Sequence, residues 1–446
     1  MQLATVAEQL KGELHGPDSR FNSVVIDTRS MCSGDLYIAI QGQNFDGNDF
    51  VKEASGNGAS GAIVHNLVDV ALPQLLVKDT TVSLGKLAQI NRRRSAATIA
   101  GITGSQGKTT VKEMVGQILT LAGDTLVTRG NLNNAIGVPL TLLEIEARHN
   151  FGVIEMGANH ADEIAYSAAL VEPDIAVITN AAPAHLEGFG SLEGVARAKG
   201  EIIDSLGSGG IMVLNADDRF FEMWKHRARE KKTVSFSVQS QDTDYYATEV
   251  NRLESGGVTF ELNVSGESKQ VSLSLLGKHN VSNAVAATAV AMEAGASFDQ
   301  VVEGLANIAS VKGRLFPFLG FNHGSVIDDS YNASPGSFRA AIDVLAEYRG
   351  RRILLMGDMA ELGSDTDAAH KALGEYARES GIEELWTVGD CSEVSAKSFG
   401  AGATHFGSRA EMIKKCKEVM GPDVALLIKG SRDAAMNEVV ESLIDL

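Results

Sequence analysis

Short apolar runs recur along most of this chain, divided by segments whose apolar residues fall three or four apart. The first texture is that of buried strands, the second that of helices packed by one face. Their alternation predicts α/β layers built on mainly parallel sheets. Over residues 1–80 the candidate strands are VVIDTRS, DLYIAI, GAIVH and PQLLVKD, set apart by Gly, Asn and Asp, which describes a small α/β unit. VSLGKLAQINRRRSA then reads as a helix and opens a central unit over 81–312. Its candidate strands are ATIAGITGS, FGVIEMGA, IAVITNAA and IMVLNADD, each followed by enough chain for a crossover helix.

Between Thr233 and Leu275 the period shortens to two, in GVTFELNVSG and KQVSLSL, the mark of half-buried antiparallel strands. This predicts a β insertion or edge sheet on the central unit. The alanine-rich HNVSNAVAATAVAMEAGA returns to helix. After VKGRLF a third α/β series, SVIDDSY, RRILLMGDM, ELWTVGD and VALLIKGS, occupies 313–446. The reading is one of three α/β domains.

Composition narrows the function. With 446 residues, 44% hydrophobic and 22% charged, the chain has the make-up of a soluble globular protein. No stretch reaches the roughly 18 consecutive apolar residues of a membrane span, and no secretory signal is visible, so the expected address is the cytoplasm. Cys32, Cys391 and Cys416 lie far apart, a pattern of free thiols rather than of a disulfide frame or zinc site. A net charge of −18 argues against broad nucleic-acid binding. Anions can still be held in local wells of backbone N–H groups and a few placed cations.

One such well is GITGSQGKTT, residues 101–110. The run before it reads as a strand, and Val111, Met114, Val115, Ile118 and Leu119 after it mark one helical face. The glycines therefore fall on a strand-to-helix turn, where unpaired N–H groups and the helix dipole favour a phosphate. Lys108 adds a cation for the terminal phosphates, and Thr109 a hydroxyl for magnesium. The usual phosphate loop has a glycine six residues before its lysine, where this chain has Ile102. A capped tight turn is the plainer alternative.

The short form, Thr103-Gly104-Ser105-Gln106-Gly107-Lys108-Thr109-Thr110, resembles the loop of the Mur ligases and their folate-ligase relatives. NLNNAIGVPLTLL, VIEMGANHADEI, NAAPAHLEGFGSLEGVARAKGEI, LGKHNVSNAVAA, KGRLF, DDSYNASPGS and MGDMAELG follow in family order. The opening DTRSMCSGDLYIAIQGQNFDGNDF is similar to the family's uridine-nucleotide domain. The resemblance implies the three-domain Mur ligase architecture: a small N-terminal α/β domain for the UDP substrate, a central P-loop domain with a parallel sheet, and a C-terminal α/β, dinucleotide-binding-like domain.

It also implies an ATP-dependent amide-forming ligase. ATP would phosphorylate the free carboxylate of UDP-N-acetylmuramoyl-tripeptide, and the amine of D-alanyl-D-alanine would attack the acyl phosphate, in a monomer. Closure of the third domain over the second would bring Arg314 and Asp329 to the nucleotide.

Each residue carried over has an ordinary reading beside it. Glu155 ends an apolar strand, where it is a surface glutamate or, with the resemblance, a magnesium ligand. His185 after the next strand is a packing histidine or a ligand to a second magnesium. Lys199 reads as a helix-surface lysine; the resemblance gives it a carbamate that helps hold that second ion. Asn280 is an N-cap or an adenine contact. Arg314 is an exposed arginine or a partner of ATP phosphate, and Asp329 would hold the ribose. Tyr331 and Asn332 would face nucleotide and acceptor. Thr28, Arg29 and Asp46 go to the uridine nucleotide, and Asn131, Asn133 and Asn134 to sugar or peptide amides.

The rivals lack their marks. The ligase adding the third stem residue usually carries Asp-Asn-Pro-Arg, which is absent. Folylpolyglutamate synthases usually begin near the phosphate loop. A nucleotide switch needs a guanine-reading Asn-Lys-x-Asp, also absent. A non-catalytic sugar-nucleotide binder leaves Lys108, Glu155 and Lys199 without a role.

Overall fold

The apolar runs become three separate sheets in the computed structural model, which describes residues 1–42, 44–253 and 256–444. Gln43, inside the quoted N-terminal segment, and the last two residues of the third unit lie outside the described residues.

The first sheet has the order β1-β5-β4-β3-β2. It contains β1 (Glu13–His15), β2 (Val24–Val25), β3 (Leu36–Ile38), β4 (Gly61–Val64) and β5 (Gln74–Leu76). All neighbours are parallel except β1 with β5. β1 is the strand that the apolar pattern misses; ELH carries a single apolar side chain.

The linking helix, Thr80–Arg94, belongs to two cores at once. Leu84 and Leu87 pack with Leu3 and Val6 of the N-terminal helix Leu3–Leu10 and with Leu36 of the first sheet, while Ala88 packs with Leu142 and Ile164 of the central domain. Its last turn is fastened by the buried Arg92. Nε donates to Val171 O at 2.9 Å, and Nη2 donates to Glu172 O at 2.9 Å and to Asp174 Oδ2 at 3.0 Å. A cation on carbonyls at a helix C-terminus satisfies groups that have no intrahelical partner.

The central sheet runs β14-β13-β12-β11-β10-β9-β6-β8-β7. In chain order it comprises β6 (Thr98–Thr103), β7 (Thr125–Val127), β8 (Phe151–Glu155), β9 (Ile175–Ile178), β10 (Ile211–Asn215) and β11 (Lys232–Ser237), followed by β12 (Tyr245–Arg252), β13 (Val258–Val264) and β14 (Glu267–Leu273). Strands β6 to β11 pair in parallel, and β12, β13 and β14 form an antiparallel edge. The period-two segment is thus an edge of the same sheet, joined through β11 to β12. In β13, Val258, Phe260, Leu262 and Val264 point inward and the residues between do not, the alternation expected of a one-sided sheet.

The third sheet has the order β15-β16-β20-β17-β18-β19. Its members are β15 (Phe316–Leu319), β16 (Ser325–Asp329), β17 (Arg351–Gly357), β18 (Glu384–Val388), β19 (Ala403–Phe406) and β20 (Val424–Lys429). Only β15 is antiparallel to its neighbour. Among the described residues no helix is long and apolar enough to cross a membrane.

Candidate active site

Strand β6 lies between β8 and β9, where the central sheet's winding reverses. That reversal opens a crevice at the carboxyl ends of the strands, the place where open α/β sheets bind ligands. The glycine loop fills it. Gly104 has φ 145° and Gly107 φ 79°, both in the region that favours glycine. A Cβ on Gly104 would lie 1.9 Å from Thr179 Oγ1, and one on Gly107 2.3 Å from Asn283 Oδ1. The loop is cross-tied to the end of β9: Gln106 N donates to Asn180 Oδ1 at 3.0 Å and Thr179 Oγ1 donates to Gln106 O at 2.6 Å.

The phosphate-loop helix, Lys108–Thr120, starts at Gly107 with no side chain capping it, so its first N–H groups face the crevice. Val111, Met114, Val115, Ile118 and Leu119 are fully buried, each worth about 1.5–3 kcal/mol against exposure. That packing holds the loop still. Lys108 Nζ donates to Gly104 O at 2.8 Å, and burial pushes its pKa down against the pull of Glu155.

Glu155 closes β8 and is 1% exposed. Its Oε1 accepts from Asn133 Nδ2 at 2.8 Å and from Thr109 Oγ1 at 3.3 Å. Its Oε2 has no partner. An orphaned buried carboxylate oxygen beside a threonine hydroxyl suits magnesium, which usually takes one or two carboxylates plus substrate phosphates. Among the described residues no three His, Cys, Asp or Glu side chains gather to hold an ion unaided. A site completed by nucleotide oxygens needs no such cluster.

Lys199 is not on a surface. It ends the helix Leu192–Lys199, is 2% exposed, donates to Ala158 O at 3.3 Å and lies 5.1 Å from the Phe189 ring centre. Burial, helped by Lys108, lowers its pKa to about 7. His185, at φ 52°, touches Glu361 of the third domain through Nδ1, without hydrogen-bond angles. Burial lowers the imidazole's pKa while Glu361 draws it upward.

Asn280 corrects the N-cap reading. It is the second residue of the helix His279–Glu293, and its buried amide donates to Leu276 O at 2.8 Å while its Oδ1 accepts from Asn283 at 2.8 Å. That helix packs on the phosphate-loop helix and sets Asn280 in the crevice wall.

The third domain supplies the opposite wall. The Arg314 guanidinium stacks 4.2 Å from the Tyr331 ring centre and has no ion-pair partner among the described residues. Asp329 accepts from Leu315 N at 3.1 Å and pairs at 2.6 Å with Lys429, which is 1% exposed and also donates to Asn332 O at 2.9 Å. Across the gap, Gln106 Nε2 donates to Ser334 Oγ at 3.1 Å.

The result is a cleft of about 630 Å³ between the second and third domains. It gathers Ser105 to Thr110 with Asn131, Asn133 and Asn134, and Glu155, His185 and Asn280 with Arg314, Asp329, Tyr331 and Asn332. Gly104 lies beneath the loop, and Lys199 lies behind the cleft wall at Ala158. Thr28, Arg29 and Asp46 stand apart, on short turns of the first domain. Arg29 pairs with Asp27 at 2.7 Å, and Asp46 accepts from Asn48 N and contacts His65 at 3.1 Å.

Sequence reasoning missed Lys429, Glu361 and Asn180. Lys429 had a signal: it ends the apolar run VALLI as Glu155 ends FGVI. Glu361 and Asn180 lie in the quoted motifs MGDMAELG and NAAPAHLEGFGS, but nothing local singles them out, because their partners lie far away in the chain.

Known proteins carry the same plan throughout. Three Mur ligase family profiles match: "Mur ligase family, catalytic domain" at residues 20–103, "Mur ligase middle domain" at 102–291 and "Mur ligase, glutamate ligase domain" at 313–432. The chain is similar to the UDP-N-acetylmuramoyl-tripeptide--D-alanyl-D-alanine ligase of Escherichia coli, with 43% identity over 99% of this chain and 98% of that one. Among solved structures it resembles MurF from Acinetobacter baumannii, with TM-score 0.91, 34% identity and coverage of 98% and 97%. It also resembles the MurF ligase from Thermotoga maritima in complex with ADP, with TM-score 0.85, 28% identity and coverage of 95% and 97%. The variant glycine loop, the uncapped helix behind it and a likeness that runs through all three sheets make this chain a member of the Mur ligase family.

Proposed function

We propose that this chain is an ATP-dependent ligase that joins D-alanyl-D-alanine to UDP-N-acetylmuramoyl-tripeptide, in the synthesis of the peptidoglycan precursor. The observation that carries this reading is the pairing of the uncapped glycine loop with the orphaned Glu155 oxygen, in a cleft that a second domain overhangs. The E. coli relative bears the same name as this activity, and the Thermotoga relative holds ADP. The work is divided among residues 1–80 for the uridine nucleotide, 81–312 for ATP, and 313–446 for nucleotide and acceptor. One chain carries the full set, so it acts as a monomer, in the cytoplasm where its nucleotide substrates are made.

A carboxylate is a poor electrophile, and the tripeptide's terminal acid is activated by taking the terminal phosphoryl group of ATP. The backbone N–H groups from Gly107 to Thr110 hold the phosphates in line, and Lys108 and Arg314 neutralise charge that builds on the transferred group. Asn280 meets the adenine, while Asp329, fixed by Lys429, meets the ribose. Thr109 and Glu155 would hold one magnesium ion; His185 and a carbamylated Lys199 would hold a second. Magnesium bound there would offset the negative charge of the phosphates and the acid. The buried lysine is half neutral near pH 7, and a neutral amine is the form that adds carbon dioxide. Thr28, Arg29 and Asp46 bind the uridine nucleotide, and Asn131, Asn133 and Asn134 the sugar and peptide amides. Tyr331 and Asn332 border nucleotide and acceptor. The amine of D-alanyl-D-alanine then attacks the acyl carbon, the C–N bond forms and phosphate leaves with the electrons of the broken C–O bond.

The test is phosphate release from ATP with each acid and amine supplied in turn. Turnover is expected only with the muramoyl tripeptide and the D-alanine dipeptide together; equal turnover with a folate acid and glutamate would overturn the assignment.

A further inference from the structure

The third domain carries an acidic side chain for which the reaction above leaves no use. Glu361 sits on the loop after β17, at the edge of the cleft, with its side chain 48% exposed. Its φ of 61° lies in the left-handed region, which a residue with a Cβ enters at about 1–2 kcal/mol. The surroundings impose that conformation. Met359 N donates to the buried His370 at 3.2 Å, Ser392 N donates to Asp358 Oδ1 at 2.7 Å, and Ser431 N donates to Asp358 O at 2.8 Å. Met359 and Leu362, on either side, are buried. The loop is fastened at both ends and holds one carboxylate out.

That carboxylate is uncommitted. Among the described residues Glu361 has no Lys or Arg partner, only the contact with His185. The other acids of the cleft have other work: Asp329 pairs with Lys429, Glu163 accepts from the N–H groups of Asn159 and His160, and Glu155, held through Oε1 by Asn133 and Thr109, keeps Oε2 for the proposed magnesium. Asp433 is the remaining one, on the exposed turn after β20.

The acceptor presents the matching problem. A dipeptide amine is an ammonium at neutral pH, and it must enter a cleft whose fixed cations, Lys108 and Arg314, are placed for phosphate. An anion on the acceptor's side offsets that repulsion. We propose that Glu361 binds the ammonium group of the incoming dipeptide and so holds its nitrogen on the third-domain side of the acyl phosphate. This rests on the ligase reading above and adds the residue that recognises the acceptor.

Glu361→Gln, Glu361→Asp and Asp433→Asn, made in the full chain, test it. In the Gln variant the KM for D-alanyl-D-alanine should rise at least tenfold, with those for ATP and tripeptide within twofold and with partial recovery in the Asp variant. An analogue without the ammonium, D-lactyl-D-alanine, whose hydroxyl replaces the amine, should inhibit wild type and Gln variant alike, so that the preference for ammonium over hydroxyl collapses in the variant. An unchanged dipeptide KM, an equal loss for dipeptide and analogue, or a rise confined to Asp433→Asn would each overturn the assignment. If wild type itself makes no ligated product, the ligase reading falls; if it ligates normally while the Gln variant is indifferent, only this inference does.

Discussion

Replacing Lys199 with methionine should make the protein more stable while removing its activity. The native pKa falls from 10.5 to about 7, chiefly through burial. At about 1.4 kcal/mol for each pH unit, that fall corresponds to about 5 kcal/mol of stability forgone when the folded chain must carry a buried ammonium. The sign follows from proton counting. Between about pH 7 and pH 10.5 the unfolded chain holds a proton that the native chain has released, so wild-type stability rises with pH across that window. Methionine fills the same space and does not titrate. It leaves Ala158 O without the 3.3 Å donor, a loss of about 1 kcal/mol. The variant should therefore exceed wild type by about 3 kcal/mol near pH 7, and by less than about 1 kcal/mol near pH 9.5. Trp224 is the natural reporter: it is fully buried and its indole donates to Ala196 O, in the same helix as Lys199, at 2.9 Å. Urea unfolding followed by its fluorescence, in a Trp386→Phe background and in buffer stripped of carbon dioxide, measures both gaps. A variant less stable than wild type at neutral pH, or a gap that ignores pH, would refute the reasoning.

Three further outcomes are expected. Gly104→Ala places a Cβ against Thr179 Oγ1 at a positive φ; with the Thr179–Gln106 bond lost, about 3 kcal/mol of loop geometry is at stake, or roughly a hundredfold rise in the KM for ATP, read by steady-state kinetics with the tripeptide KM unchanged. Glu155→Gln should lower kcat at least about a hundredfold and abolish the effect of magnesium on ADP affinity in calorimetric titration; an intact magnesium effect would move the ion elsewhere. Lys429→Met leaves the buried Asp329 unpaired and should destabilise the third domain by about 3–5 kcal/mol in denaturant unfolding, with much of that loss recovered by adding Asp329→Asn.

The parallel strands of the central and third sheets were readable because strands buried on both faces are nearly continuous apolar runs, and LLIK, GVIE and IAVI need no partner to be recognised. The edges were not. β1 (ELH), β7 (TLV) and β19 (ATHF) are short and half exposed, and they become strands only through their neighbours. The glycine loop was legible because its residue types and its position between strand and helix are both local. The burial of Lys199 was not legible. Its helix has a mixed face, and what covers the amine is Phe189 and the carbonyl of Ala158, which no local pattern of VARAKG announces. Asn280 failed for a related reason: the helix starts two residues sooner than its cap chemistry suggests, and the side chain turns back to Leu276.

The linking helix Thr80–Arg94 has a last implication. With Leu84 and Leu87 in one core, Ala88 in the next and Arg92 tied to three oxygens, it joins the first two bodies as a strut. Its 15 residues give it a length of about 22 Å at 1.5 Å per residue. A donor moored by its nucleotide at the far end therefore meets the glycine loop at a preset reach. On the proposed division of work, donors with shorter or longer stems should therefore react more slowly even where their end groups are the same, which rates with stems of differing length would read.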